Sequence, residues 1–194
     1  LSLAGIKPAE FQQGRAFLGK HVTSKPRYSF GFRGRMDERP DCSRTLVDGR
    51  YVYIRNFMPH LPHGQFLHYQ METQTTRLWR RLYRENKLNA VQSAFWKRKA
   101  PEELYDITAD PHETRNLAGD PEHLKKLLEM REALYAHLKH THDVALLPEG
   151  MFHDLAREHG VTPGDLTRKD GAYPVEEIRK SADLLLQPDL KRSE

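Results

Sequence analysis

Nineteen residues, Glu103 to Pro121, limit what this chain can fold into more than any others. Leu104-Tyr105-Asp106-Ile107 has the aromatic and β-branched character of a short strand. Asp110, Pro111 and Glu113 then take the spacing of a capping box, with Asp where Ser or Thr is usual. Asp120-Pro121-Glu122 repeats the start signal ahead of a long periodic run. A strand, a capped turn and a helix start therefore follow one another at once, so a sheet and a helix must meet here. In the helix, Leu124, Leu127, Leu128, Leu134, Tyr135 and Leu138 are expected on one face, with Lys125, Lys126, Glu129, Glu132 and Lys139 mostly pointing away. Arg131 interrupts the apolar stripe and is expected to lie along the core edge with its head in water.

The sheet is legible upstream. Asp48-Gly49, between Ser43–Val47 and Arg50–Arg55, predicts a two-residue hairpin of type I′. Tyr28, Phe30 and Phe32 alternate, as on a half-buried strand over 28–32. Residues 56–72 hold two prolines, a glycine and three histidines, and read as a long irregular connection. Leu78, Trp79, Leu82 and Tyr83 predict a helix over Thr73 to Lys87, and a second short one fits Asn89 to Trp96. The sum is a two-layer α+β fold, a small antiparallel sheet packed on an amphipathic helix, with one apolar face left exposed. After Leu147-Pro148-Glu149-Gly150 the composition turns polar. Helical patterns near 151–159 and 174–186, interrupted by Thr162-Pro163-Gly164 and Gly171, predict a weakly helical tail or linker over 151–194.

Composition adds limits. At 38% hydrophobic and 30% charged, 194 residues suffice for a modest core. A net charge of +4 favours anionic ligands by steering and dictates no fold. No run of eighteen apolar residues exists, which excludes a membrane-spanning helix. Leu1-Ser2-Leu3-Ala4-Gly5-Ile6 lacks the basic start and cleavage site of a signal peptide. It reads as the last turn of a helix, stopped by Gly5 with Pro8 beyond, as though a longer chain preceded it. Cys42 is the only cysteine, so no internal disulfide forms and the redox compartment stays open.

The stretch 103–121 resembles the closing segment of the sulfatase family, in the alkaline-phosphatase-like superfamily. The resemblance extends to residues 1–19, Phe30 to Arg39, Asp48 to Met58, His142-Asp143 and Leu147 to Gly150, roughly 1–150 in all. The subgroup it looks most like is that of heparan N-sulfatase (sulfamidase)-like enzymes and bacterial relatives. This implies that 1–20 is the exit from an N-terminal catalytic domain outside this chain and that 21–150 is the small C-terminal subdomain. Residues 151–194 would be a tail or linker, and Tyr173 to Ile178 an entry to the helical repeats of some bacterial members. The family hydrolyses sulfate esters or N-sulfates. It uses a formylglycine made from Cys or Ser in C/S-x-P-x-R, and a divalent cation, usually calcium, held by Asp and Asn. Cys42-Ser43-Arg44-Thr45-Leu46 departs from that motif at its Pro, where Arg44 stands, and at its Arg, where Leu46 stands. No catalytic residue and no calcium ligand is therefore assigned here, and Cys42 reads as a small packing residue. The implied partners are the catalytic domain and a sulfated glycan or other small sulfated substrate, and the implied location is periplasmic or otherwise exported.

The candidate substrate-binding residues are Arg33, Arg35, Asp37 and Glu38. Arginine forks suit sulfate, which accepts two parallel hydrogen bonds, and nearby carboxylates could receive sugar hydroxyls or an amine. In relatives this loop faces the active-site mouth, and many carry Asp where Gly34 stands. A solvated turn that pairs internally is the plainer reading of the same residues. His60 and His63, or His137, His140 and His142, could hold a metal but lack acidic or cysteine partners at zinc-like spacing. Arg77, Arg80, Arg81, Arg84 and Lys87, with Trp79 and Tyr83, fit the electrostatic template of a nucleic-acid binder, but no nucleic-acid motif accompanies them. Contact with an anionic glycan or with the catalytic domain suits them better. Two further functions stay open, a free-standing anionic-glycan-binding module and a phosphonate or phosphate ester hydrolase of the same superfamily.

Overall fold

Tight turns decide the sheet. In the computed structural model, which describes residues 1–12, 14–35, 37–168 and 173–187, strands β2 (Ser43–Val47) and β3 (Tyr51–Asn56) pair antiparallel with Val47 opposite Val52. The hairpin forms where expected, but its two-residue loop is Gly49-Arg50, one residue later than the sequence suggests. Asp48 donates its N–H to Tyr51 O, and its carboxylate accepts from the N–H groups of Arg50 and Tyr51. Positive φ falls on Gly49 (96°) and not on Arg50. That suits type II′, whereas type I′ needs positive φ at both central residues. The Asp48 side chain decides the matter, because its Oδ1 accepts from two of the turn's own amides.

Strands β1 (Ser29–Arg33) and β4 (Glu102–Asp106) complete an antiparallel sheet in the order β1-β2-β3-β4. Its outer edge at β4 is sealed by the 110–117 loop. Asn116 accepts from Leu104 N–H and donates to Glu102 O, while Leu117 N–H bonds Leu104 O. Amides that would template another strand are thereby satisfied. The capping box expected at 110–113 does not open a helix. Asp110 instead accepts from the N–H groups of Thr114 and Arg115, and Glu113 takes φ 51°, which ends any helical run.

Helix α4 (Leu124–Thr141) begins after a short 3₁₀ turn that Asp120 caps, as the sequence predicts. It buries Leu127, Met130, Leu134, Tyr135 and Leu138, while Leu124 and Leu128 lie exposed. The stripe is rotated from the expected one because Met130 joins it. Arg131 is not free in water: it forks onto Glu102 with contacts of 2.7 and 2.6 Å. Across the sheet, Leu46, Tyr53 and Leu104 stand opposite one another and are fully buried in the core they share with α4. Phe30 continues that row on β1 and stacks on His137, rings 3.7 Å apart. Phe32 is 83% exposed, so the expected half-buried face of this strand is largely open. The reason is position: α4 packs on β2 and β3, and β1 lies at the sheet's margin.

The next row on the same face is charged, with Arg44, Arg55 and Glu102 in register. Arg55 is fully buried. It donates to Tyr135 Oη, Pro101 O, Asn56 O and Ala182 O. Arg44 forks onto Asp143 at 2.6 and 2.9 Å.

Three short helices, α1 (His68–Met71), α2 (Gln74–Arg84) and α3 (Ala90–Ala94), fill the connection between β3 and β4. Thr73 caps α2, and Asn89 with Gln92 forms a full capping box on α3. Trp79 stacks on Phe95 while Trp96 meets both rings edge-on, and a Cβ at Gly64 would come within 2.6 Å of both Phe95 and Trp96. Helices α5 (Glu149–Glu158) and α6 (Val175–Asp183) form the expected tail. It is not loosely attached: Tyr173 and Val175 enter the main core. Of the sequence readings, Met36 and Gly171 lie outside the described residues.

Replacing Arg55 with Ala should destabilise the fold by about 3 kcal/mol or more, because several buried acceptors lose their donor at once. Urea unfolding of the two proteins measures it. A second expectation concerns acid. The Arg50 guanidinium, bonded at 2.6 Å, holds Asp106 down to about 2. A depressed carboxylate contributes stability above its unfolded pKa of about 4, and that contribution is lost as pH falls toward 2. Asp106→Asn should flatten this part of the stability–pH curve, read by denaturant midpoints across that window.

Candidate functional site

The loop leaving β1 is where the sequence places the substrate-binding candidates. Arg33 ends the strand, and its Nε lies 3.1 Å from Asp41 Oδ2. Asp41 also takes Lys99 Nζ, and both Asp41 and Lys99 are buried. Two cations thus share one buried carboxylate, and Arg33, partly exposed, is the one that reaches solvent. Neither Asp41 nor Lys99 stands out in the sequence, since 58 residues separate them and no local motif joins them.

Arg35 is exposed. Its Nε donates to Glu149 Oε1 at 2.8 Å and its Nη1 to the Asp37 carbonyl. The bond to Glu149, on the first turn of α5, holds the guanidinium above its ordinary pKa. Asp37 is exposed with φ 47°, a conformation tolerated best by Asn and Asp. Glu38 turns inward to the loop: its carboxylate accepts from His68 N–H at the start of α1. Arg39 donates to Phe66 O at 2.6 Å. The four candidates therefore do not converge on one point. Arg33, Arg35 and Glu38 each have an intramolecular partner, and Asp37 and Glu38 are both exposed.

What the loop does border is a cleft of 500 Å³ between it and the 145–152 segment. Gly34 and Arg35 form one lip, Asp41 and Cys42 line it, and Met58, Leu147 and Phe152 make an apolar wall. An arginine fork at the lip with an apolar surface beneath is an arrangement that can hold an anionic group on a sugar ring. Gly34 has no atom within 4 Å of where a Cβ would stand, so a Cβ there would meet open space.

Cys42 stands just before β2. It is 5% exposed, its Sγ lies 3.5 Å from Ala145 O, and burial pushes the thiol pKa up. Burial also lowers the pKa of His63 and His137, and His137 is occupied by its stack on Phe30. Among the described residues no group of three or more His, Cys, Asp or Glu could hold a metal ion.

No family model matches the chain. Over 150 residues it is 38% identical to an ulvan-active sulfatase of Formosa agariphila, a match covering 77% of this chain and 25% of that protein. The match supports the sulfatase family. The chain spans about a quarter of the length of that sulfatase. Among solved structures, a 2-O GAG sulfatase aligns with TM-score 0.45 and 21% identity, over 72% of this chain and 23% of the other. A chain from Bacteroides thetaiotaomicron aligns with TM-score 0.44, also at 21% identity, over 72% of this chain and 23% of its own.

If Cys42 is a packing residue, an aromatic disulfide reagent should modify it at least about a hundredfold more slowly in the folded chain than in urea, as for a buried, inert thiol. Following thiol release against time in both conditions tests this.

Proposed function

We propose that this chain is the C-terminal portion of a sulfatase that acts on a sulfated glycan. The larger part of that enzyme would supply the formylglycine and the calcium site, and this portion would buttress it and line one wall of the substrate pocket. The observation that carries the reading is the 38% identity to a sulfatase over most of this chain. That relative's action on ulvan supports a polysaccharide substrate, and we extend it to sulfate esters or N-sulfates. Within the family we assign the chain to the neighbourhood of the heparan N-sulfatase-like members, on the segments 48–58 and 103–121. Export to the periplasm or beyond the cell is part of the same proposal.

The mechanism left to these residues is positioning. Arg35 at the lip of the cleft can exchange Glu149, held by a single Nε bond, for a substrate anion that takes the same guanidinium. Arg33, tied to buried Asp41, would present a fixed positive field beside it. Neither residue performs bond-breaking; they orient what the catalytic part cleaves.

The experiment is to extend the reading frame upstream of Leu1, express the longer product and measure sulfate release from a small sulfate ester and from a sulfated polysaccharide. Turnover by the longer product, an upstream C/S-x-P-x-R motif and no turnover by residues 1–194 alone are the expected results. In that product Arg35→Ala should raise KM by roughly tenfold or more with little change in kcat, the mark of a binding contact. An upstream frame without the motif, or turnover by the 194 residues alone, would overturn the reading.

A further inference from the structure

The positive charge of this chain is concentrated in one place. Residues 74–99, which include α2 and α3, hold eight Lys or Arg and one Glu, a net of +7, while the whole chain carries +4. The rest of the molecule is therefore mildly acidic, and the insert between β3 and β4 stands out as a cationic surface. Lys99 is spent internally on Asp41, and Arg81 and Lys87 share Glu85. Among the described residues, no carboxylate pairs with Arg77, Arg84, Lys97 or Arg98, and all four are exposed.

We propose that this insert is a binding track for an anionic polysaccharide, separate from the cleft beside Arg35. Three observations carry it. Arg77, Arg80, Arg81 and Arg84 follow helical spacing on α2, so they are neighbours along one side. At 1.5 Å per residue Arg77 and Arg84 are roughly 10 Å apart along the axis, a span that fits repeated anionic groups better than one ion. Secondly, Arg84 from α2 and Lys97 from beyond α3 meet across a polar hollow of 490 Å³, lined also by Tyr83, Asn86, Asn89 and Ser93. Amide, hydroxyl and phenol groups beside two cations suit a sugar that carries sulfate or carboxylate. Thirdly, the aromatic rings are consumed in building the insert: Trp79 stacks on Phe95 at 4.6 Å and gives its indole N–H to Gln92 O. Bases therefore find no row of free rings to stack on, which argues against single-stranded nucleic acid.

The track adjoins the candidate cleft. Arg80 lies over the Phe66 ring, and Phe66 O receives Arg39, on the loop that also carries Arg35. A polymer could thus be held on α2 while one unit reaches the cleft. This inference rests on the sulfated-glycan reading only for the identity of the polymer.

Affinity electrophoresis of the full 194-residue chain in gels containing dextran sulfate, with neutral dextran as comparison, tests it. Retardation by dextran sulfate alone is expected. The triple variant Arg77→Gln, Arg84→Gln, Lys97→Gln should weaken it by roughly tenfold or more, given the strength of charge-assisted contacts. Lys125→Gln, which removes an exposed charge from α4, should leave it unchanged. Glu85→Gln frees Arg81 and Lys87 and should tighten it, which decides the matter if circular dichroism shows the triple variant unfolded. Equal binding by the folded triple variant, equal retardation by neutral dextran, no tightening with Glu85→Gln, or displacement of dextran sulfate by a lower concentration of an oligonucleotide would each overturn the proposal. Sulfate release from a small monomeric ester by the longer product does not depend on this surface, so the two readings can fail separately.

Discussion

A buried guanidinium has to be matched, and in this fold the matching of Arg55 ties every layer together. Its donors go to the phenol of Tyr135 on α4, to the carbonyl of Pro101 before β4 and to that of Ala182 on α6. Asp183, 3.6 Å away, adds a carboxylate at the rim and also receives the Tyr135 hydroxyl. Removing a charge from water is costly, so such a site survives only when each donor finds an acceptor. Helix α6 supplies one of them. The sheet, the long helix and the tail are thereby locked to one relative position by an interaction that a purely apolar core would not demand.

The same principle shapes the rest of the inward sheet face. Arg44 finds Asp143, and Glu102 finds both Arg131 and the hydroxyl of Tyr53. These pairs run alongside the apolar row of Leu46, Tyr53 and Leu104. The core is thus narrow and flanked by ionic pairs, which is consistent with a chain that is only 38% hydrophobic.

Local signals were the readable ones. The hairpin, the Asp120 cap, the Thr73 and Asn89 starts and the α+β layering all follow from turn chemistry and periodicity. The errors arose where a side chain had two uses. Asp48 could flank or occupy the turn, and its two amide contacts moved the loop by one residue. Asp110 had helix-starting neighbours, yet it closed a loop because Asn116 and Leu117 were needed along the edge of β4. Arg131 reads as a core-edge charge with its head in water because its acceptor, Glu102, lies 29 residues away in sequence. The site shows the same pattern. Arg33, Arg35, Asp37 and Glu38 are visible as a charged loop, but Asp41, Lys99 and Glu149, which hold two of them in place, are joined to it only by tertiary structure.

Helix α6 bears on where this protein could be divided. The composition changes near residue 150, and that is where an engineer would place the end of a shortened version. Such a version would discard Tyr173 and Val175 from the interior and leave Arg55 facing an open trench where Ala182 had stood. Water entering there would reach the ionic seam beneath the helix, and the trench would offer a greasy surface to neighbouring molecules. A practical unit of this fold therefore runs at least through Asp183, well past the point at which the composition turns polar.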